Sequence, residues 1–87
     1  MKHASTATLD QLEPLLAQLR GLAGLTERRR GIFYRRSSAF LHFHEDPAGL
    51  FADVRGPDGD FDRLAATTAE DQAAVLAHVT DRLAAGG

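Results

Sequence analysis

The apolar positions of this chain change their spacing partway along, and the changes divide it into elements. Leu9, Leu12, Leu15, Leu16, Leu19 and Leu22 recur three and four apart, which draws one apolar stripe along a helix over about residues 8–23. Thr8, with Gln11 three residues on, reads as a capping box, and Gly21 and Gly24 close the segment. Pro14 falls past the first turn counted from Thr8, where its missing N–H costs a hydrogen bond. The spacing therefore predicts either a kink there or a regular part beginning near Leu12.

Leu25 to Arg30 is polar and reads as a connection. The period then falls to two, and β-branched and aromatic residues predict strands over about 31–36, 39–45 and 50–55. Ser37-Ser38 makes a two-residue turn between the first pair. Asp46-Pro47-Ala48-Gly49 makes the second turn, in which proline sets φ and glycine supplies a left-handed residue. After Gly56–Asp60, Phe61-Asp62-Arg63-Leu64 reads as a short edge strand or an irregular link. Ala73, Val75, Leu76, Val79 and Leu83 mark a second helix over about 68–85. Thr67 with Glu70, or Thr68 with Asp71, offers its capping box, and Gly86-Gly87 ends it. The expected fold is one α+β domain over 1–87, a two-layer α-β-β-β-α arrangement. Its three-stranded antiparallel sheet carries both helices on one face.

The two turns fix a register. It opposes Glu45 to Leu50, Phe43 to Ala52 and Leu41 to Val54, and, across the first turn, Tyr34 to Leu41 and Ile32 to Phe43. One face then gathers Ile32, Tyr34, Ala39, Leu41, Phe43, Leu50, Ala52 and Val54 as a core. The other gathers Phe33, Arg35, Phe40, His42, His44, Phe51, Asp53 and Arg55. Phe33 faces His42 there, Arg35 faces Phe40, His42 faces Asp53 and His44 faces Phe51.

Three phenylalanines with a polar rim have the composition of an interface. The leading expectation is a non-enzymatic protein that forms a homodimer, or docks a small protein partner, through these eight residues, with His42 and Asp53 as a pH-sensitive pair. The first alternative is a small-ligand or metal-binding module. His42 and His44 point the same way on a strand, about 7 Å apart, and Asp53 adds a carboxylate, a donor set suited to zinc or iron. The His-x-His spacing is similar to that of cupins, but the following glutamate is absent and the chain is short for a jelly roll. A His42–Asp53 acid–base pair with Arg35 or Arg55 holding an anion lacks a nucleophile motif or a glycine-rich phosphate loop beside it. No cofactor and no catalytic residue are expected on that ground. Single-stranded nucleic acid, stacked on phenylalanines and held by arginines, is the further alternative. His3 reads as part of a frayed terminus and His78 as a boundary residue.

Charge and composition narrow these readings. The 87 residues carry a formal net charge of −2, which argues against generic nucleic-acid binding. Arg28, Arg29, Arg30, Arg35 and Arg36 cluster in one segment. Glu45, Asp46, Asp53, Asp58, Asp60 and Asp62 follow later, so the two segments can neutralise each other. With no cysteine, disulfides and thiolate chemistry are excluded. The chain shows no signal-peptide run and no membrane-length apolar stretch, so a cytoplasmic location is the expectation.

The segment from Phe40 to Val54 (FLHFHEDPAGLFADV), preceded by Gly31-Ile32-Phe33-Tyr34, resembles the core of a group of small uncharacterised bacterial α+β proteins. The resemblance covers most of the chain and implies no activity. The passage from a helix through a loop into a hairpin is more distantly similar to the MmcQ/YjbR-like proteins. Their longer C-terminal portion is missing here, and their suspected DNA binding is not carried over.

Overall fold

A computed structural model describes residues 2–85, and the expected Gly86-Gly87 helix end lies outside them. The order is β1 (Lys2–His3), α1 (Thr6–Arg20), β2 (Thr26–Arg29), β3 (Ile32–Arg35), β4 (Ser38–Asp46), β5 (Gly49–Arg55), β6 (Phe61–Ala65) and α2 (Ala69–Ala84). The fold is α+β with an antiparallel sheet. That sheet has six strands in place of the three expected, in the order β2-β3-β4-β5-β6, with β1 also paired to β4. The additions are short or polar segments (TERR in β2, FDRLA in β6) whose pairing comes from their neighbours, not from any apolar alternation of their own.

The N-cap of helix α1 lies three residues before the expected Thr8. Ser5 is its N-cap, and the Ser5 hydroxyl accepts from the Thr8 amide at 3.3 Å. Pro14 stays inside the helix. The Asp10 carbonyl thereby loses its helical donor, and Asp10 is exposed to solvent. Leu12, Leu15, Leu16 and Leu19 are buried, as are Val75 and Val79 of α2. These side chains share one core cluster with Leu41, Phe43, Ala52 and Val54. Of the two capping boxes offered for α2, the structure uses Thr68 with Asp71.

The β4–β5 hairpin has the expected register, with Leu41 opposite Val54, His42 opposite Asp53, Phe43 opposite Ala52, His44 opposite Phe51 and Glu45 opposite Leu50. Gly49 takes φ +141°, and a Cβ there would meet Thr67 Oγ1 at 2.5 Å, so no other residue fits the corner.

The β3–β4 hairpin departs from expectation. Its loop is Arg36-Ser37, not Ser37-Ser38, since Arg35 pairs with Ser38 and Tyr34 with Ala39. Arg36 takes φ +60°. The ladder then slips, with Phe33 opposite Leu41, so that Phe40 is the extra residue of a β-bulge. The moved turn keeps the facing of Tyr34, because the pairing shifts by two, and the bulge at Phe40 is what inverts β3 relative to Leu41. Phe33 enters the core at 0% exposure and Phe40 at 2%, whereas Ile32 and Tyr34 are half-buried outside the main cluster. The expected exposed face thus loses two of its three phenylalanines to the chain's own core.

Candidate functional site

Histidines occupy the middle of the sheet face opposite the helices. The alternation of β4 sends His42 and His44 to this side while Leu41 and Phe43 go to the core. β1 adds a third imidazole by pairing His3 with His44 and Lys2 with Glu45. Glu45 fixes this terminus. Its Oε1 accepts from the Ser5 amide at 2.5 Å, and its Oε2 lies 3.9 Å from Lys2 Nζ. The Ala4 amide also donates to the Phe43 carbonyl at 3.2 Å. A tail expected to fray is therefore a strand.

The three rings form a compact group. Centroids are 4.8 Å apart for His42 and His44, 5.0 Å for His3 and His44, and 6.2 Å for His3 and His42. One ligand nitrogen from each lies within 4.8 Å of the others. A tetrahedral zinc site with Zn–N bonds of about 2.05 Å needs those nitrogens about 3.4 Å apart. His44 Nε2 and His42 Nδ1 already approach to 2.9 Å, and His3, the exposed member, has the freedom to close the rest.

Asp53 braces the group. It is 5% exposed and is gripped by Arg63, with Nε to Oδ1 at 2.9 Å and Nη2 to Oδ2 at 3.1 Å. Its Oδ2 lies 3.0 Å from His44 Nε2. Burial alone would raise the Asp53 carboxyl, but the Arg63 hydrogen bonds and the charges of Arg63, His44 and His42 hold it below its ordinary value. His42 moves down as well, first because it is desolvated and then because His44 opposes a second positive charge, against the pull of Asp53. The site therefore presents a neutral imidazole at His42 beside an ionised carboxylate, the protonation states a metal requires. Phe61 sets its edge against His42 at 4.9 Å, and the Arg55 guanidinium stacks on Phe61 at 4.6 Å.

Only part of the sequence-predicted site assembles here. His42, His44 and Asp53 come together, with Asp53 opposite His42 in the ladder and its carboxylate meeting His44 Nε2 and Arg63. Phe51 is half-buried opposite Ala65. Arg35 lies at the far end of the sheet, 5.9 Å over Phe40. Phe33 and Phe40 are core residues, so the rim of Arg35 and Arg55 does not enclose the three-phenylalanine patch expected of it, and neither ring is open to stack a base. His3, Phe61 and Arg63 were missed. No local sequence signal marks His3, whose strand is held by its pairing to β4.

No protein-family model, curated protein or solved structure matches the chain. Among the described residues no helix is long and apolar enough to cross a membrane.

Proposed function

We propose that the chain is a small transition-metal-binding protein whose ligands are His3, His42 and His44. The observation that carries this reading is the approach of three imidazole nitrogens to within 4.8 Å of one another. Three imidazole nitrogen donors suit zinc, copper or nickel. Three protein ligands also leave one tetrahedral position open to water or a small ligand. Asp53, held by Arg63, places a negative charge 3.0 Å from His44 Nε2, the nitrogen that also faces His42, which favours a cation at that point.

The test is calorimetric titration of untagged, chelator-treated protein with Zn²⁺. One equivalent is expected to bind. His3→Ala, His42→Ala and His44→Ala should each weaken it by roughly 10-fold or more. At a hundredfold excess over Kd the metal stabilises the fold by about 2.7 kcal/mol, readable as a higher Tm. Zinc binding that is absent, or unchanged in the triple variant, refutes the reading.

Phe61 favours a second reading, self-association through the same face. Among the described residues it is the exposed large apolar one, at 38%, and it sits on edge strand β6. With Phe33 and Phe40 withdrawn, the contact surface would comprise His42, His44, Phe51, Asp53, Arg55 and Phe61. Light scattering should then show a dimer that Phe61→Asp converts to a monomer. A monomer at high concentration before mutation dismisses it.

A further inference from the structure

The hairpin end of the sheet holds a cavity of about 240 Å³ whose charged lining has a single sign. Arg35 and Arg36 reach it from the β3–β4 corner, Arg55 from the end of β5 and Arg82 from α2, with Ser37 and Ser38 beside them. The bulged Phe40 supplies the apolar wall. No described carboxylate lines it.

Arg20, Arg30 and Arg63 are neutralised by acids. Arg20 contacts Glu13 and Glu27 at 2.6 Å, Arg30 contacts Asp10 and Glu13 at 2.8 Å, and Arg63 contacts Asp53 at 2.9 Å. At the cavity, Arg55 and Arg82 are held by neutral groups. Arg55 donates from Nε to the Ala39 carbonyl at 2.6 Å and from Nη1 to the Gly59 carbonyl at 2.7 Å. Arg82 donates from Nε to the Arg55 carbonyl at 3.3 Å. Carbonyl oxygens hold these guanidinium groups in place without cancelling their charge. Arg36 adds a second observation. It is the non-glycine residue at positive φ among those described, in a corner where glycine or asparagine would be unstrained. Strained backbone of this kind concentrates where a ligand is clamped.

We propose that this cavity binds the phosphoryl group of a small phosphorylated molecule. The planar fork of arginine matches phosphate oxygens in pairs, and like charges lining a concavity with an apolar wall focus a field on its centre. A carboxylate brings one charge to the cavity, whereas a phosphomonoester brings close to two. The volume lies below the ~300 Å³ at which whole drug-sized ligands are enclosed. One or two phosphoryl groups therefore enter and the remainder of the molecule stays outside. The site is separate from the histidine cluster and does not depend on metal.

The test is an amide-resolved NMR titration of the full chain with inorganic phosphate, a sugar monophosphate and a nucleoside diphosphate, at ionic strength fixed with sodium chloride. Saturable shifts are expected at residues 35–40, 55 and 82. Arg36→Gly keeps the corner, because glycine accepts its φ, and removes one guanidinium. It should weaken binding about tenfold without lowering Tm, and Arg82→Gln should weaken it by a similar factor. Absence of saturable shifts with all three probes overturns the proposal, as does an affinity untouched by both substitutions. A single-stranded decanucleotide that binds more than tenfold tighter than the nucleoside diphosphate, with a steep salt dependence, overturns the small-molecule assignment in favour of nucleic acid.

Discussion

Two regions of this small protein use arginine in opposite ways. Around Asp53, and along the side of α1 facing β2, each guanidinium meets a carboxylate. At the β3–β4 corner, Arg55 and Arg82 donate to neutral carbonyls around a shared cavity. An arginine matched to an acid positions its neighbours and is satisfied. One anchored by carbonyl oxygens keeps its full charge for something outside the chain. The difference teaches that the −2 net charge of the whole says little about either place, since the potential is set within a Debye length of about 8 Å.

The sharpest way to break this contrast is through Phe40, the wall of the arginine cavity. At 2% exposure, Phe40→Ala should cost roughly 3–5 kcal/mol, read as a lower urea midpoint. A loss below about 1 kcal/mol would return Phe40 to the exposed face that simple alternation predicts. A smaller effect is expected from Asp53→Asn on the other side. Arg63 and His44 would lose a charged acceptor, for about 1–3 kcal/mol, discounted because Arg63 is half-exposed. Zinc affinity should fall about 10–100-fold while phosphate binding at the far corner stays unchanged. Equal loss at both sites would show that the two regions are not independent.

The smallest effect concerns Glu13, which bridges Arg20 and Arg30. The Arg20 hydrogen bond first, and then Arg30, bring its carboxyl down to about 2 from an ordinary 4.5. Because the unfolded chain binds more protons between those values, the Glu13 contribution is whole above about pH 4.5 and disappears as pH falls towards 2. The Tm gap between the native chain and Glu13→Gln should close over that window and shrink with added salt. A gap independent of pH would mean that the two ion pairs contribute nothing measurable.

Legibility in the sequence followed how local each determinant is. Leu12, Leu15, Leu16 and Leu19 reach the core as their spacing predicts, and the β4–β5 register follows from the Asp46–Gly49 corner with strict alternation on both sides. These features need no information from beyond their own element. His42 and His44 were readable for the same reason, as two members of one strand face. His3 was not, because what holds it is Glu45, about forty residues away.

The sequence by itself determined two helices, the central hairpin and the pair of histidines between them. Only the tertiary structure decided which way β3 faces, that β1, β2 and β6 complete the sheet, and that four arginines share one cavity. The physical reason lies in competing energies. An arginine held at φ +60° costs about 1–2 kcal/mol, and burying Phe33 and Phe40 returns roughly 1.5–3 kcal/mol each. That gain exists only once the helices are in place to receive the rings, so the ladder takes up a bulge at Phe40 and the bulge turns the face of the strand.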